Sequence, residues 1–220
     1  MSVDLRLYAL LDPDVSGGHD LADLARKVVS GGATLVQLRD KTGSTKRMID
    51  EARAIKTALA GSFVPLLIND RVDVALAVGA DGVHIGWDDM PVPDARRLLG
   101  REAIIGLSIK TRAQVDAAPL ELLDYVCIGG VFATTSKDNR EPPVRPEGFA
   151  ELAAAVRERA PSMPVGAIAG ITERNAADVI AANADGIAVI SALSQAERPE
   201  EAAQRLRKIV DDGLRLRGAA

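Results

Sequence analysis

Apolar residues along the chain fall into two kinds of segment, short continuous runs and longer stretches with apolar positions every three or four residues. Short runs of Val, Ile and Leu are typical of strands buried on both faces of a parallel sheet. Stretches such as Leu21–Val28, where charges separate the apolar positions, are typical of amphipathic helices. Because the two kinds alternate from one end to the other, the pattern predicts a β/α protein.

Eight strand–helix units can be counted in this pattern. The predicted strands are Leu5–Leu11, Thr34–Arg39, Val64–Ile68, Gly82–Gly86, Ala103–Leu107, Asp124–Ile128, Met163–Ile168 and Asp185–Ile190. The predicted helices are Asp20–Ser30, Thr45–Ala60, Arg71–Val78, Val92–Leu99, Thr111–Ala118, Pro146–Arg159, Thr172–Ala182 and Pro199–Val210. Ser44, Thr111 and Thr172 have the residue type and position of helix N-caps.

A short phrase recurs where predicted helices give way to strands. It reads Gly-Ala-Asp-Gly at Gly79–Gly82 and Asn-Ala-Asp-Gly at Asn183–Gly186, with a related Gly-Gly-Ala-Thr at Gly31–Thr34. Small residues there are expected to end the helix and make the tight turn. Eight units in 220 residues predict one (β/α)8 TIM barrel, with residues 1–220 as a single domain. The alternative is an open doubly wound sheet, which usually has five or six strands.

Composition and charge limit the classes of partner that this protein is expected to have. A net charge of −4 argues against a nucleic-acid scaffold, which usually carries a basic surplus. The one cysteine, Cys127, excludes an internal disulfide and lies in an apolar run, so a buried structural thiol is expected. There is no signal peptide and no apolar run long enough to span a bilayer. We therefore expect a cytoplasmic protein without membrane or nucleic-acid partners.

Long polar side chains follow the second predicted strand. Alternation places Gln37, Arg39 and Lys41 on one side of the chain there. Enzymes of the barrel class carry their chemistry at the carboxyl ends of the strands, and an Arg–Lys pair suits a polyphosphate. The alternative is that Arg39 and Lys41 lie on the rim and pair with helix carboxylates.

Carboxylates follow the third and fourth predicted strands. Asn69, Asp70 and Asp89 are expected to face one region, whereas neighbouring Asp88 is expected to be solvated. Mg²⁺ takes a few carboxylate oxygens together with phosphate and water, so this region is a candidate magnesium site. The alternative reading makes Asp70 and Asp89 caps of the helices that follow. Trp87 has two interpretations, covering a ligand or closing the rim.

The last three strands end in small and hydroxyl-bearing residues. Thr134, Thr135 and Ser136 lie in the long loop 133–145, beside Lys137, and are able to donate hydrogen bonds to a phosphate. Many barrels bind a phosphate after strands seven and eight, where Gly170 would allow close backbone approach. A plain tight turn at Gly170 is the alternative.

The remaining residue types offer little catalytic chemistry. His84 lies within the fourth predicted strand and is expected to be a core histidine held by hydrogen bonds, and His19 is expected to be solvated. The sequence shows no zinc spacing, Ser/His/Asp trio, glycine-rich nucleotide fingerprint or Walker loop. Pattern and composition alone therefore predict a barrel with an anion-binding site.

Taken together, the motifs resemble those of thiamine phosphate synthase from about Leu7 to Leu193. The matching phrases are Gln37–Lys41, Leu67–Asp73, Gly79–Gly86, Val131-Phe132 with Thr134, Ser136 and Lys137, Ala167–Thr172 and Val189–Ser191. The resemblance implies a Mg²⁺-dependent transferase of thiamine biosynthesis. Such an enzyme joins 4-amino-2-methyl-5-hydroxymethylpyrimidine diphosphate to hydroxyethylthiazole phosphate and releases pyrophosphate.

The resemblance also implies a role for each matching residue. The pyrimidine diphosphate would be held by Gln37, Arg39, Lys41, Asn69, Ser108 and Lys137, of which Arg39, Lys41, Ser108 and Lys137 would be catalytic. The metal would be held by Asp70 and Asp89. The thiazole phosphate would be held by Thr134, Thr135, Ser136, Gly170, Ile190 and Ser191. We expect a dissociative reaction, in which pyrophosphate departs before the thiazole nitrogen attacks.

Departures from the family pattern keep two other functions open. Trp87 replaces a frequent Gln, Lys110 stands near a usual Thr-His, and Ala169 replaces the first glycine of a common pair. The related thiazole tautomerase lacks a full magnesium pair and uses a histidine after the fifth strand, where this chain has Lys110. A non-catalytic phosphate-binding regulatory barrel is the other alternative. The oligomeric state is also open, with a homo-oligomer among the alternatives.

Overall fold

Eight parallel strands close into a barrel in the computed structural model, which describes residues 3–134 and 142–218. Each strand pairs with its neighbours in chain order, and the last strand pairs with the first. The strands are β1 Leu7–Leu11, β2 Leu35–Leu38, β3 Leu66–Asn69, β4 Gly82–Ile85, β5 Ile104–Ile109, β6 Tyr125–Gly129, β7 Val165–Ile168 and β8 Gly186–Val189. The predicted TIM-barrel fold class is confirmed, and the open doubly wound sheet is wrong.

Helices surround this barrel in the order predicted. They are α1 Leu21–Ser30, α2 Thr45–Ala58, α3 Val72–Val78, α4 Val92–Leu99, α5 Arg112–Ala117, α6 Arg145–Arg159, α7 Ala176–Ala181, α8 Ser191–Ser194 and α9 Pro199–Gly218. Short 3-10 turns occupy Pro13–Val15 and Leu120–Leu122. None of the helices within the described ranges is both long and apolar enough to cross a membrane.

Two of the three predicted helix caps are confirmed. Ser44 accepts from the backbone N–H of Arg47, and Thr111 forms a reciprocal capping box with Gln114. Thr172 is a wrong prediction, because α7 begins four residues later, after Asn175. The Asn175 side chain accepts from Thr172 N at 2.7 Å, which folds these residues into a turn before the helix. The prediction also omitted α8, since four residues are too few to show helical periodicity.

Alternation along the strands separates two apolar cores. One fills the space between the barrel and its helices. The other lies inside the barrel and comprises Leu5, Tyr8, Leu10, Leu35, Leu67, Tyr125, Cys127 and Ala188. Cys127 is fully buried there, and burial raises the pKa of its thiol, so the predicted structural thiol is confirmed.

A repeated hydrogen bond ties the strands together at the base of the barrel. Just before each even-numbered strand, a polar side chain accepts from a backbone N–H near the start of the preceding strand. The four bonds are Leu7 N to Thr34 at 3.1 Å, Leu66 N to Asp81 at 2.8 Å, Ile105 N to Asp124 at 2.8 Å and Val165 N to Asp185 at 2.9 Å. Thr34, Asp81 and Asp185 belong to the recurring phrase. The polar residue of the phrase is therefore explained by its hydrogen bond to the preceding strand.

The last glycine of that phrase serves close packing. A Cβ at Gly82 would lie 1.8 Å from the carbonyl oxygen of Ile104, and a Cβ at Gly186 would lie 1.7 Å from that of Leu5. Gly79 serves the helix end, because it caps α3 in the left-handed conformation at φ 59°. The helix-ending role expected of the phrase is therefore confirmed at Gly79, whereas Gly82 and Gly186 are required by the neighbouring strand.

Candidate active site

A cavity of about 400 Å³ opens at the carboxyl ends of the strands. Of the residues predicted for the site, it is lined by Gln37, Arg39, Asn69, Ser108, Thr134, Gly170, Ile190 and Ser191. These residues lie near or just after the carboxyl ends of six different strands, which the structure brings together. A concave site with a few converging polar groups is the usual form of a small-molecule site in a barrel.

The other predicted residues stand beside this cavity or outside the described residues. Lys41 forms an ion pair with Asp70, and Asp70 accepts from the Asn69 side chain at 2.6 Å, which connects both to the cavity wall. The predictions for Thr135, Ser136 and Lys137 fall outside the described residues.

Both cations after β2 are paired with carboxylates. Arg39 pairs with Asp12, a buried residue directly after β1, and Lys41 pairs with Asp70, directly after β3. The alternative in which they pair with helix carboxylates is wrong, because both partners follow strands. Asp12 was not predicted, although its position immediately after the first predicted strand was a usable signal.

Two carboxylates meet at the edge of the cavity. Burial and a hydrogen bond with Asp89 raise the pKa of the Asp70 carboxyl, against the lowering effect of Lys41. Asp89 also accepts from Gly86 N at 2.8 Å. Carboxylates this close repel each other when both are ionised, and a bound cation relieves that repulsion. Neither residue is a helix N-cap, since Arg71 precedes α3 and Pro91 precedes α4, so the capping interpretation is wrong.

The donor set at this edge fits magnesium. Two carboxylates suffice for an ion that takes its remaining oxygens from phosphate and water. No group of three or more His, Cys, Asp or Glu side chains suited to a metal occurs in residues 3–134 and 142–218. An ion held by Asp70 and Asp89 would therefore need further oxygen ligands from phosphate or water. Asp88 is exposed, in line with the expectation that it is solvated, and Trp87 is exposed as well.

The loop after β7 has an unusual backbone. Ala169 and Gly170 both have positive φ, at 82° and 68°. A Cβ at Gly170 would lie 2.5 Å from the carbonyl oxygen of Ala133, so the glycine lets this loop pack against the loop after β6. Ala169 accepts from Phe132 N at 3.1 Å across the same contact. Two loops that line the cavity are therefore joined directly through their backbones.

Ile190 and Ser191 form the start of the short helix α8. Ile190 is its N-cap residue, and Ser191 is its first residue. The first amides of a helix have no acceptor within that helix, so they are available to an anion. These two residues face the same cavity as Gly170 and Thr134.

A chain of polar side chains runs from the cavity wall into the barrel interior. His84 contacts Tyr125 through Nδ1 at 2.8 Å and Ser108 through Nε2 at 2.9 Å, which confirms the expected core histidine. Tyr125 in turn bonds Tyr8 at 2.9 Å, and Tyr8 accepts from Gln37. The tyrosines were not predicted. Their signal was that the chain has only two, both on predicted strands.

Comparisons with known proteins show which family this chain resembles over most of its length. A family model described as "Thiamine monophosphate synthase" matches residues 7–193. A "Thiamine-phosphate synthase" of Agrobacterium fabrum is 53% identical over 215 residues, covering 98% of each chain. One of Albidiferax ferrireducens is 45% identical, covering 94% of this chain and 92% of the relative.

A solved structure extends the likeness to three dimensions. The "Thiamine phosphate pyrophosphorylase" of Pyrococcus furiosus has a TM-score of 0.83 and 33% identity, covering 96% of this chain and 98% of that one. The similarity thus includes the whole barrel.

Proposed function

The chain belongs to the thiamine monophosphate synthase family, and we propose that it joins hydroxymethylpyrimidine diphosphate to hydroxyethylthiazole phosphate. The products are thiamine phosphate and pyrophosphate, so the protein is a transferase of thiamine biosynthesis. The observation that carries the proposal is the cavity, in which Arg39, Asn69 and Ser108 face a second group formed by Gly170 and Ser191. One group suits a diphosphate and the other a monophosphate.

The diphosphate is held on the side of strands β2 to β5. Arg39 offers a planar fork and Lys41 a point charge, which are complementary ways of binding phosphate oxygens. Asn69 and Ser108 supply neutral donors, and Gln37 contacts the pyrimidine. Binding replaces the Arg39–Asp12 and Lys41–Asp70 pairs with contacts to the ligand. Lys137 remains a predicted fifth contact.

Asp70 and Asp89 hold Mg²⁺ in this proposal. The raised pKa of Asp70 and the closeness of the two carboxyls support it. When bound, the ion neutralises charge on the diphosphate and so makes pyrophosphate a better leaving group. The chain's own contribution is to present two carboxylates next to Asn69 and Lys41.

The thiazole phosphate is held on the side of strands β6 to β8. The first amides of α8 at Ile190 and Ser191, together with the backbone at Gly170 and the hydroxyl of Thr134, surround its oxygens. Thr135 and Ser136 remain predicted contacts. This placement directs the thiazole nitrogen toward the pyrimidine methylene across the cavity.

Bond changes at the methylene carbon require no strong base. The carbon–oxygen bond breaks with its electron pair leaving on pyrophosphate, and the nitrogen lone pair of the thiazole then forms the new carbon–nitrogen bond. No proton has to be removed from either substrate in these two steps. The pyrimidine amino group stabilises the positive charge in between, and Arg39, Lys41 and Ser108 stabilise the departing oxygen.

An electron-poor pyrimidine tests this order of events. Replacing the methyl group of the substrate by trifluoromethyl should slow single-turnover formation of the product by at least about 100-fold, which corresponds to roughly 2.7 kcal/mol of barrier. Rapid-quench measurement under conditions where chemistry limits turnover gives the rate. An unchanged rate contradicts departure of pyrophosphate before attack.

Omission experiments separate the synthase from its two rivals. The synthase requires both substrates and forms thiamine phosphate and pyrophosphate in equal amounts. A thiazole tautomerase would instead convert a thiazole phosphate isomer without any pyrimidine. A regulatory barrel would bind the phosphates and form no product. The relatives reported above carry the synthase name, which supports the first outcome. The cytoplasmic location remains a prediction, and a homo-oligomer remains one of the alternatives for the oligomeric state.

A further inference from the structure

A continuous chain of hydrogen bonds connects two walls of the cavity through the barrel interior. We name Gln37, Tyr8, Tyr125, His84 and Ser108, in that order, the interior relay. Gln37 Nε2 donates to the Tyr8 hydroxyl, and the successive distances beyond it are 2.9, 2.8 and 2.9 Å. Gln37, Ser108 and His84 line the cavity, whereas the two tyrosines lie in the barrel interior. The relay thus links two residues that face the same ligand.

The relay is held rigidly by packing. The rings of Tyr8 and Tyr125 meet edge to face at 5.9 Å, and His84 stacks on Tyr125 at 5.5 Å and 27°. A Cβ at Gly106 would lie 2.0 Å from Tyr125 Cζ, so the glycine leaves the space that this ring occupies. Tyr8 and Tyr125 are fully buried, and their hydroxyls therefore have no bulk water to turn toward.

Each hydroxyl has one proton to donate, so choosing the donor of one hydrogen bond in the relay determines the donor of every other. A neutral imidazole donates through one nitrogen and accepts through the other. If Gln37 donates to Tyr8, then Tyr8 donates to Tyr125, Tyr125 donates to His84 Nδ1, and His84 Nε2–H donates to Ser108. The hydroxyl proton of Ser108 is then directed into the cavity. Burial raises the pKa of both tyrosines, which keeps them protonated as this order requires.

Reversal of the relay would exchange the roles at both ends. Ser108 would donate to His84, and the Gln37 amide would turn its nitrogen toward the cavity. With Nε2 turned toward Tyr8, Gln37 Oε1 is buried, and among the described residues it has no hydrogen-bond partner. Leaving a buried acceptor of this kind unpaired costs free energy, which a donor from a ligand would offset.

We propose that Tyr8, Tyr125 and His84 are positioning residues that fix Gln37 as an acceptor and Ser108 as a donor toward the pyrimidine diphosphate. The inference rests on the proposed function for the identity of this ligand. An acceptor at Gln37 suits the amino group of the pyrimidine. A donor at Ser108 suits the oxygen that gains charge as pyrophosphate leaves. The relay ensures that both roles are set together.

Nitrogen NMR of the free protein tests the direction without any substrate. The chain has two histidines, so a sample labelled with ¹⁵N-histidine gives two imidazoles, and His19→Gln assigns them. We expect His84 to carry its proton on Nε2 alone at neutral pH. A proton on Nδ1, or on both nitrogens, overturns the proposal. This result is independent of activity, so it remains decisive if the proposed function fails.

Removing one hydroxyl tests the positioning role. Tyr125→Phe keeps the ring and is expected to lower kcat about ten-fold, with a smaller change in KM, since one positioning hydrogen bond is lost. In a Ser108→Ala background the same substitution should lower kcat by a clearly smaller factor, because its effect on the reaction is exerted through Ser108. Equal fold losses in both backgrounds overturn the proposal, since a purely structural effect is additive.

Thr34→Val is the matched control. It also removes a hydroxyl, in this case one that bonds Leu7 at the opposite end of the barrel. We expect it to leave kcat and the His84 tautomer unchanged. Thermal melting of each variant establishes that it is folded. A Thr34→Val variant that is folded and loses kcat as strongly as Tyr125→Phe overturns the specific role of the relay.

Discussion

At the scale of single residues, the barrel mouth is organised by charges that lie close together. Asp70 contacts Lys41, Asn69 and Asp89, and has a left-handed backbone at φ 59°. Aspartate is among the residues that tolerate this conformation best. Arg39 is held in the same way by Asp12. Arg39 and Lys41 are thus held in place by carboxylates that follow the two neighbouring strands.

Asp89 is the residue whose loss should reveal the metal site. Asp89→Ala removes one of two proposed magnesium ligands, and we expect turnover to fall on the order of 100-fold, about 2.7 kcal/mol. The Mg²⁺ concentration needed for half-maximal rate should rise as well. The matched control is Asp88→Ala, which removes an adjacent exposed carboxylate and should leave the rate near normal. Near-normal Mg²⁺-dependent turnover in Asp89→Ala rejects the assigned role.

Ala169 carries strain that a glycine would relieve. A non-glycine residue at φ 82° costs roughly 1–3 kcal/mol, and the flexibility of glycine costs about 0.5–1 kcal/mol. Ala169→Gly should therefore raise the free energy of unfolding by roughly 1 kcal/mol. Ala167→Gly, the same change on the buried strand two residues earlier, should lower it. Urea unfolding measures both, and destabilisation by Ala169→Gly contradicts the strain.

Individual site residues were predictable only where they lie at or near the end of a strand and match the family pattern, by a recognisable phrase or by position. Gln37, Arg39, Asn69 and Ser108 met this condition and do line the cavity. Asp12 did not, because its importance depends on contact with Arg39, which follows a different strand. The relay was equally hidden, since its tyrosines lie on β1 and β6 and meet only after the barrel closes.

At the scale of elements, particular side chains fix the starts of the strands, as others occupy the strand ends at the cavity. The four bonds at the base of the barrel each join an even-numbered strand to the strand before it. Strand and helix order followed from apolar periodicity, because that pattern records which face each element buries. The extra helix α8 and the late start of α7 did not follow, because both depend on local turns.

Asp81 offers a clean test of the basal hydrogen bonds. Asp81→Ala leaves the N–H of buried Leu66 without its side-chain acceptor and should lower the free energy of unfolding by roughly 1–3 kcal/mol. Asp81→Asn keeps an acceptor oxygen and should retain most of the stability. Chemical denaturation compares the two variants. Equal stability of Asp81→Ala and the unmodified chain contradicts a structural role for this bond.

At the scale of the whole molecule, closure of the barrel creates the site. β1 pairs with β8, which brings Asp12 and Tyr8 into the same ring as Ile190 and Ser191. We propose that residues 1–220 form one domain, since this pairing joins the first strand to the last. The residues proposed for the two phosphates line one cavity, so in the proposed function two substrates react there without either leaving the barrel.

The formation of thiamine phosphate by the purified protein tests this account most directly. The protein is mixed with the pyrimidine diphosphate and the thiazole phosphate, and thiamine phosphate and pyrophosphate are measured while Mg²⁺ is titrated. We predict equal amounts of the two products, at a rate that rises with Mg²⁺ and is abolished by a chelator. Binding of both substrates with no thiamine phosphate formed at any Mg²⁺ concentration contradicts the account.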